Sequence, residues 1–224
     1  MVGLLSDADH ARVTAAVEAA EAQTAGEIVT AVAERSDAYH DAALHWAVLA
    51  MLAVPAAFAL RPGWATAMCE LVADGWTALP AGAPYLLVLI LSALVFLLVR
   101  LLLAAMTLRM ALTPGATRTR RVRRQALALF RVGAERRTRG RTGVLIYLSL
   151  LERRAEIVAD SAIHDRVDEG VWGEAMAALL TDVRRGCPAD GMIAAIGLVG
   201  AVLAEHFPRE RNDINELPDR LVEP

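Results

Sequence analysis

Two long apolar stretches constrain this chain more than any other feature of its sequence. Residues 42–60 contain no Asp, Glu or Arg, and His45 is their only ionisable residue. Residues 85–108 are rich in Leu, Val and Ile, with Arg100 as their single charged residue. A helix of about 20 apolar residues crosses the roughly 30 Å of bilayer hydrocarbon. We therefore expect two transmembrane helices, joined as a hairpin by an outer loop at 61–84.

Five alanines recur at helical spacing along the first apolar stretch. Small residues let two helix backbones approach closely in lipid. We therefore expect this alanine stripe to face the second stretch, although a generally high alanine content would give the same spacing. The stripe consists of Ala43, Ala47, Ala50, Ala53 and Ala57.

The distribution of arginine predicts the orientation of the hairpin. Arg61 is the only basic residue between the two stretches, whereas six arginines lie within residues 109–124. Cytoplasmic loops carry the excess of basic residues close to membrane spans. The N-terminus lacks the basic start and uninterrupted apolar core of a signal peptide. We therefore expect a multi-pass protein of the cell inner membrane, with the soluble domain and both termini in the cytoplasm.

An arginine-rich helix is predicted at residues 118–137, soon after the hairpin. Each basic residue near an anionic membrane surface contributes roughly 1 kcal/mol to lipid binding. The lipid bilayer is thus the expected partner. Nucleic acid is disfavoured because the arginines have no interleaved aromatic platform and the chain is tethered to a membrane. A solvated helix face that only determines topology is the alternative. The predicted lipid-contact residues are Arg100, Arg109, Arg118, Arg120, Arg121, Arg123 and Arg124.

The remaining segments predict an α/β domain that is interrupted by the hairpin. A helix is expected within residues 1–25, a strand at 27–33 and a β-hairpin at 143–160. Two closing helices are expected at 171–185 and 192–207. The predicted organisation is 1–41 for the first part of the domain, 42–108 for the transmembrane hairpin, 109–207 for the remainder of the domain and 208–224 for a polar tail.

Several of these segments resemble the TPM domain. The resemblance lies in residues 24–29, in the Thr-Gly-Val-Leu-Ile and Arg-Arg-Ala-Glu-Ile-Val sequences within 141–160, and in 190–196. The chain end at 206–219 resembles an uncharacterised bacterial subgroup of TPM-domain membrane proteins. The resemblance implies a small α/β/α sandwich on a short, mostly parallel sheet. The chain departs from most of the family because its membrane helices lie inside the domain, after the first strand.

The same resemblance implies several kinds of function. TPM-domain proteins include thylakoid proteins linked to photosystem II repair, some with acid phosphatase activity and calcium binding, and membrane accessory proteins. The residues themselves offer no enzyme motif, since the sequence has no Gly-rich phosphate cradle, HExxH or Gly-x-Ser-x-Gly elbow. Catalysis therefore rests on the resemblance and on a possible metal site.

Three acidic residues form the candidate metal site. Asp160 ends the predicted third strand, and Asp165 and Asp168 follow it closely. Ligands of open α/β sheets gather at the carboxyl ends of strands, and hard carboxylate oxygens suit calcium. We expect no cofactor, and calcium at these acids is the alternative. Helix caps and solvated turns are the alternative interpretation of the same acids.

The preferred function is a membrane-anchored accessory protein that binds or stabilises a larger membrane protein complex. A weak calcium-dependent phosphatase and an anionic-lipid-binding module are the alternatives. The polar tail is a further docking candidate, and a strap laid over its own domain is an equally good interpretation of it. The tail residues are Asn212, Asp213, Asn215, Glu216 and Asp219.

Overall fold

The computed structural model describes residues 4–72, 80–133, 142–209 and 220–223. The chain divides into two compact units, one formed by Met1–Asp37 with Gly115–Pro224 and the other by Ala38–Pro114. The first is called the α/β unit and the second the hairpin unit. In chain order the elements are α1 Asp7–Glu21, β1 Glu27–Ala33, α2 His40–Leu60, α3 Gly63–Val72, α4 Ala83–Leu102, α5 Met106–Leu112, α6 Gly115–Gly133, β2 Gly143–Ser149, β3 Arg154–Ala159, α7 Ser161–His164, a 3-10 turn at Glu169–Val171, α8 Trp172–Arg184 and α9 Pro188–His206.

The α/β unit is built on a three-stranded mixed sheet in the order β1-β2-β3. β1 and β2 are parallel, with Glu27 opposite Gly143, although the whole hairpin unit separates them in the sequence. β2 and β3 form the predicted antiparallel β-hairpin, with Ser149 opposite Arg154. The prediction of an α/β fold is confirmed. The sheet is mixed and not mostly parallel, because β3 returns through a tight turn that leaves no room for a crossover helix.

Both faces of the central strand are covered by helices. Every residue of β2 is buried, which explains why its sequence is apolar without alternation. Ile146 and Leu148 face a core shared with α1, α8 and α9. Leu145 and Tyr147 face a second core that α6 completes with Val122, Ala126 and Phe130. The unit therefore has three layers, with α6 on one face of the sheet and α1, α8 and α9 on the other.

The end of the chain covers the outer edge of β1. Val222 N donates to Thr30 O at 2.9 Å, and Val32 N donates to Val222 O at 3.0 Å. The carboxylate of Glu223 accepts from the N–H groups of Leu4 and Leu5 at 3.0 and 3.1 Å. Burial raises the pKa of Glu223, but these bonds and one to His10 outweigh it, so the pKa lies below its ordinary value. The C-terminal segment thus closes one edge of the sheet.

The hairpin unit is built from α2 and α4, which pack against each other. Ala43 and Ala47 are buried, but Ala53 and Ala57 are exposed. The prediction that the whole alanine stripe faces the second helix is therefore wrong beyond its first half. The packed side continues through half-buried Val54 instead of Ala53, because three helical turns of 3.6 residues lead from Ala43 to about residue 54.

The sequence predicts one helix through the second apolar stretch to residue 108, and this prediction is wrong. α4 ends at Leu102, the chain turns at residues 103–105, and α5 begins at Met106. The first carbonyls after the helix accept from the Arg109 side chain, which returns toward the turn. The outer loop predicted at 61–84 also contains a ten-residue helix, α3.

Candidate functional site

The hairpin helices expose an extensive apolar surface. α2 and α4 have 21 and 20 residues, with mean hydropathies of 2.0 and 2.7, so both are long and apolar enough to cross a membrane. None of the most apolar 18-residue stretch of α4 is buried, and only 11% of that of α2. The large exposed side chains on the two helices are Leu44, Trp46, Leu49, Leu52, Leu60, Tyr85, Leu86, Leu89, Ile90, Leu94, Leu97, Leu98, Leu101 and Leu102.

A third helix, α9, is also long and apolar enough to cross a membrane. Its apolar residues have a different explanation, because Met192, Ile196, Val199 and Leu203 are fully buried in the core of the α/β unit. Among the described residues, no comparable core covers α4. Apolar surfaces of this extent mark contacts with a membrane or with another protein.

The connecting helix α3 exposes a smaller apolar stripe. Trp64, Met68 and Leu71 are exposed at helical spacing, whereas Ala65 and Cys69 are buried. The guanidinium carbon of Arg61 lies 5.6 Å from the centroid of the Trp64 ring, within cation–π distance. Exposed tryptophan side chains are enriched where membrane proteins cross the membrane–water interface.

Arg109 does not have the surroundings that a headgroup contact requires. Its side chain is 8% exposed, and its Nε donates to Leu103 O at 2.9 Å. Its two terminal nitrogens donate to Ala104 O at 3.1 Å and to Ala38 O. The expected lipid role of Arg109 is thus replaced by a structural one, because the carbonyls at the end of α4 need a donor.

The other predicted lipid-contact arginines differ in exposure. Arg120, Arg123 and Arg124 are exposed on α6, whereas Arg118 and Arg121 are half-buried. Arg121 lies 2.6 Å from Asp37, and Arg124 lies 3.3 Å from the same carboxylate oxygen. These two ion pairs hold α6 to the segment that follows β1. Arg100 is half-buried in the last turn of α4.

The three acids predicted to bind calcium are not brought together as a metal site. Asp160 accepts from Ser161 N at 2.7 Å and caps the N-terminus of α7, and Asp168 accepts from Gly170 N at 2.9 Å. Asp165 is exposed at the end of α7. Within the described ranges, no three His, Cys, Asp or Glu side chains lie close enough to hold a metal ion. The tail residues Asn212, Asp213, Asn215, Glu216 and Asp219 lie outside the described residues.

A groove that the sequence did not reveal runs along β3 in the α/β unit. It has a volume of about 420 Å³, which is within the range of roughly 300–1,000 Å³ typical of ligand sites. α6 and α8 contribute its walls and β3 its floor. The groove is lined by Arg123, Leu127, Glu156, Ile157, Val158, Ala159, His164, Trp172 and Met176.

Glu156 is the acidic residue of this groove. Burial raises the pKa of its carboxyl group, and nearby Arg123 and Arg154 lower it less, so the net pKa lies above its ordinary value. Trp172 is 7% exposed, and it contributes both to the core and to the groove wall. No motif predicts this site, because its walls come from helices about 50 residues apart in the sequence.

The comparisons with known proteins support the fold alone. No family model matches the sequence, and no curated protein is detectably similar. The chain is similar to the NMR structure of BA42 protein from the psychrophilic bacterium Bizionia argentinensis, with a TM-score of 0.57. The two sequences are 17% identical, and the similarity covers 100% of this chain and 98% of that one.

Proposed function

We propose that this chain is a two-pass membrane protein whose α/β unit is an accessory module that binds or stabilises a larger membrane protein complex. The exposed apolar surface of α2 and α4 is the observation that carries the proposal. With a rise of 1.5 Å per residue, helices of this length are about 30 Å long, the thickness of the bilayer hydrocarbon. Lipid would cover the leucines that face outward from the pair.

The arginine distribution supports an orientation for this protein. Arg61 stands alone between α2 and α4, whereas α5 and α6 carry the basic residues that follow the second helix. On this basis the α/β unit and both termini are cytoplasmic, at the inner membrane. Exposed Arg120 and Arg123 are then available to anionic headgroups or to an acidic partner.

The chain connectivity supports an accessory role. The chain leaves the α/β unit after Asp37 and re-enters it at Gly115, so two connections tether the unit to the hairpin. A domain with two tethers has less rotational freedom than one on a single linker, and it loses less entropy when it docks on a neighbouring membrane protein. We further propose that the α/β unit is a TPM-like domain, which the order of its elements and residues 143–159 support.

Native purification tests the accessory role. The full chain, expressed from its own locus with a C-terminal tag, is cross-linked in intact membranes and extracted in mild detergent. We expect a discrete complex of fixed stoichiometry with another membrane protein.

A lone chain with phosphatase activity would contradict this proposal. That result requires calcium-dependent turnover of a generic phosphate ester that Asp160→Asn abolishes. Asp7→Asn is the matched control, because Asp7 is exposed and lies outside the three candidate acids, so this substitution removes the same charge elsewhere. Loss of turnover in both variants would indicate an effect of charge alone and would leave the accessory role in place.

A further inference from the structure

We propose that the groove along β3 binds an acidic, extended segment of a partner protein, which joins the sheet as an additional strand. This inference deepens the proposed function, on which it rests, by stating the chemistry of the partner segment and its place of binding. The partner is recognised through its backbone and its carboxylates, which requires no particular fold in the free segment.

The outer edge of β3 presents unused backbone groups. Asp160 N donates to Gly143 O at 2.9 Å, and the antiparallel register continues from this pair along the strand. Hydrogen-bonded pairs alternate with non-bonded pairs in such a ladder. The N–H and C=O groups of Ala155, Ile157 and Ala159 therefore point away from β2, and no partner for them is found among the described residues.

The two edges of the sheet differ in this respect. The edge of β1 is closed by Val222, which bonds to Thr30 and Val32. Proteins usually cover or pair a strand edge, because open N–H and C=O groups recruit another chain. Since no described segment pairs with the outer edge of β3, that edge is available for strand addition.

The walls of the groove favour a single strand over a second copy of the α/β unit. α6 and α8 both pack over β3, and each contributes side chains to the cavity, with Leu127 on one wall and Met176 on the other. A second copy would bring its own two helices to the same place. An extended peptide has no such layers, and its alternate side chains can enter the apolar spaces beside Trp172 and Leu127.

The charges around the groove favour an acidic occupant. Arg123 lies in the wall, and both it and Arg154 are close enough to Glu156 to lower the pKa of that carboxyl group. Glu156 is therefore near two arginines, so the local charge is net positive. Arg123 is exposed and lines the groove, so a carboxylate on the added strand would pair with it.

Direct peptide binding tests this inference. The full chain in lipid nanodiscs is titrated into a fluorescein-labelled peptide of about six residues that alternates Val and Glu, the length of an average strand. We expect saturable binding that weakens as the salt concentration is raised. A peptide with Lys in place of Glu should not bind. Methylation of the peptide's backbone nitrogens on the β3 side should abolish binding. Equal binding of the Glu peptide, the Lys peptide and the methylated peptide would overturn the proposal of strand addition.

A pair of variants at Ile157 isolates the backbone contribution. Both Ile157→Pro and Ile157→Ala remove the isoleucine side chain. Only the Pro variant also lacks the backbone N–H group that points to the open edge. We expect the Pro variant to bind the Glu peptide about tenfold more weakly than the Ala variant. Equal affinities, in two variants of equal melting temperature, would overturn the proposal.

A second pair isolates the charge of the wall. Arg123→Gln and Arg131→Gln each remove one exposed arginine from α6, and only Arg123 lines the groove. We expect Arg123→Gln to weaken binding by about threefold and Arg131→Gln to leave it unchanged. Equal losses would contradict a specific contact. If the peptide fails to bind while the cross-linked membrane complex persists, the groove proposal fails and the accessory function stands.

Discussion

A chain that carries Gly191→Ala is expected to lose about 3 kcal/mol of unfolding free energy. A Cβ at this position would lie 2.6 Å from the backbone carbonyl oxygen of Leu179 and 3.3 Å from Cβ of Asp182. A backbone oxygen cannot rotate aside as a side chain can, so α8 and α9 would have to separate. We expect the melting temperature of the α/β unit to fall by about 6–12 °C, measured by circular dichroism in detergent.

Gly197→Ala is the matched control in the same helix. A Cβ at Gly197 would have no heavy atom within 4 Å. Because Ala is a better helix former than Gly by about 1 kcal/mol, this variant should be as stable as the natural chain or slightly more so. Equal destabilisation by the two substitutions would show that α8 and α9 do not pack through Gly191.

The second large effect is expected from Arg109→Met in the hairpin unit. Methionine preserves much of the apolar stem but leaves the carbonyls of Leu103, Ala104 and Ala38 without their donor. Each buried acceptor left unsatisfied costs about 1–3 kcal/mol. We expect the hairpin to lose about 3 kcal/mol or more, measured as the shift of the unfolding midpoint when dodecyl sulfate is titrated into mild detergent.

Arg100→Met is the control for this second prediction. Arg100 is half-buried in the last turn of α4, and no hydrogen bond or ion pair is found for it among the described residues. We expect its loss to shift the midpoint little. A larger effect at Arg100 than at Arg109 would contradict the role of Arg109 in holding the end of α4.

Local patterns were sufficient to predict most elements of the α/β unit. The β-branched sequence of β1 coincides with the observed strand at Glu27–Ala33. The first strand of the predicted β-hairpin coincides with β2, and its uninterrupted apolar sequence is typical of a strand that is buried on both faces, as β2 is. The helix predicted from residue 118 coincides with α6 in its described part, where Val122 and Ala126 recur at helical spacing on the side that packs on the sheet. These features follow from side-chain periodicity, which the sequence contains directly.

The features that were missed depend on tertiary contacts. Residues 103–105 contain no Gly or Pro, so nothing local indicates that α4 ends there. Arg109 is one basic residue among six in its region, and only its burial distinguishes it from Arg120. The groove required α6 and α8 to flank β3 from opposite faces of the sheet. Local sequence patterns do not encode that arrangement.

Alkaline carbonate extraction of membranes that contain the full chain tests the central claim most directly. If α2 and α4 are embedded in lipid, the chain will remain in the membrane pellet, because carbonate removes proteins bound only by charge or by surface contacts. The exposed leucines of α4, such as Leu94 and Leu97, have no other cover in the described part of the chain. Release of the chain into the supernatant would contradict the account.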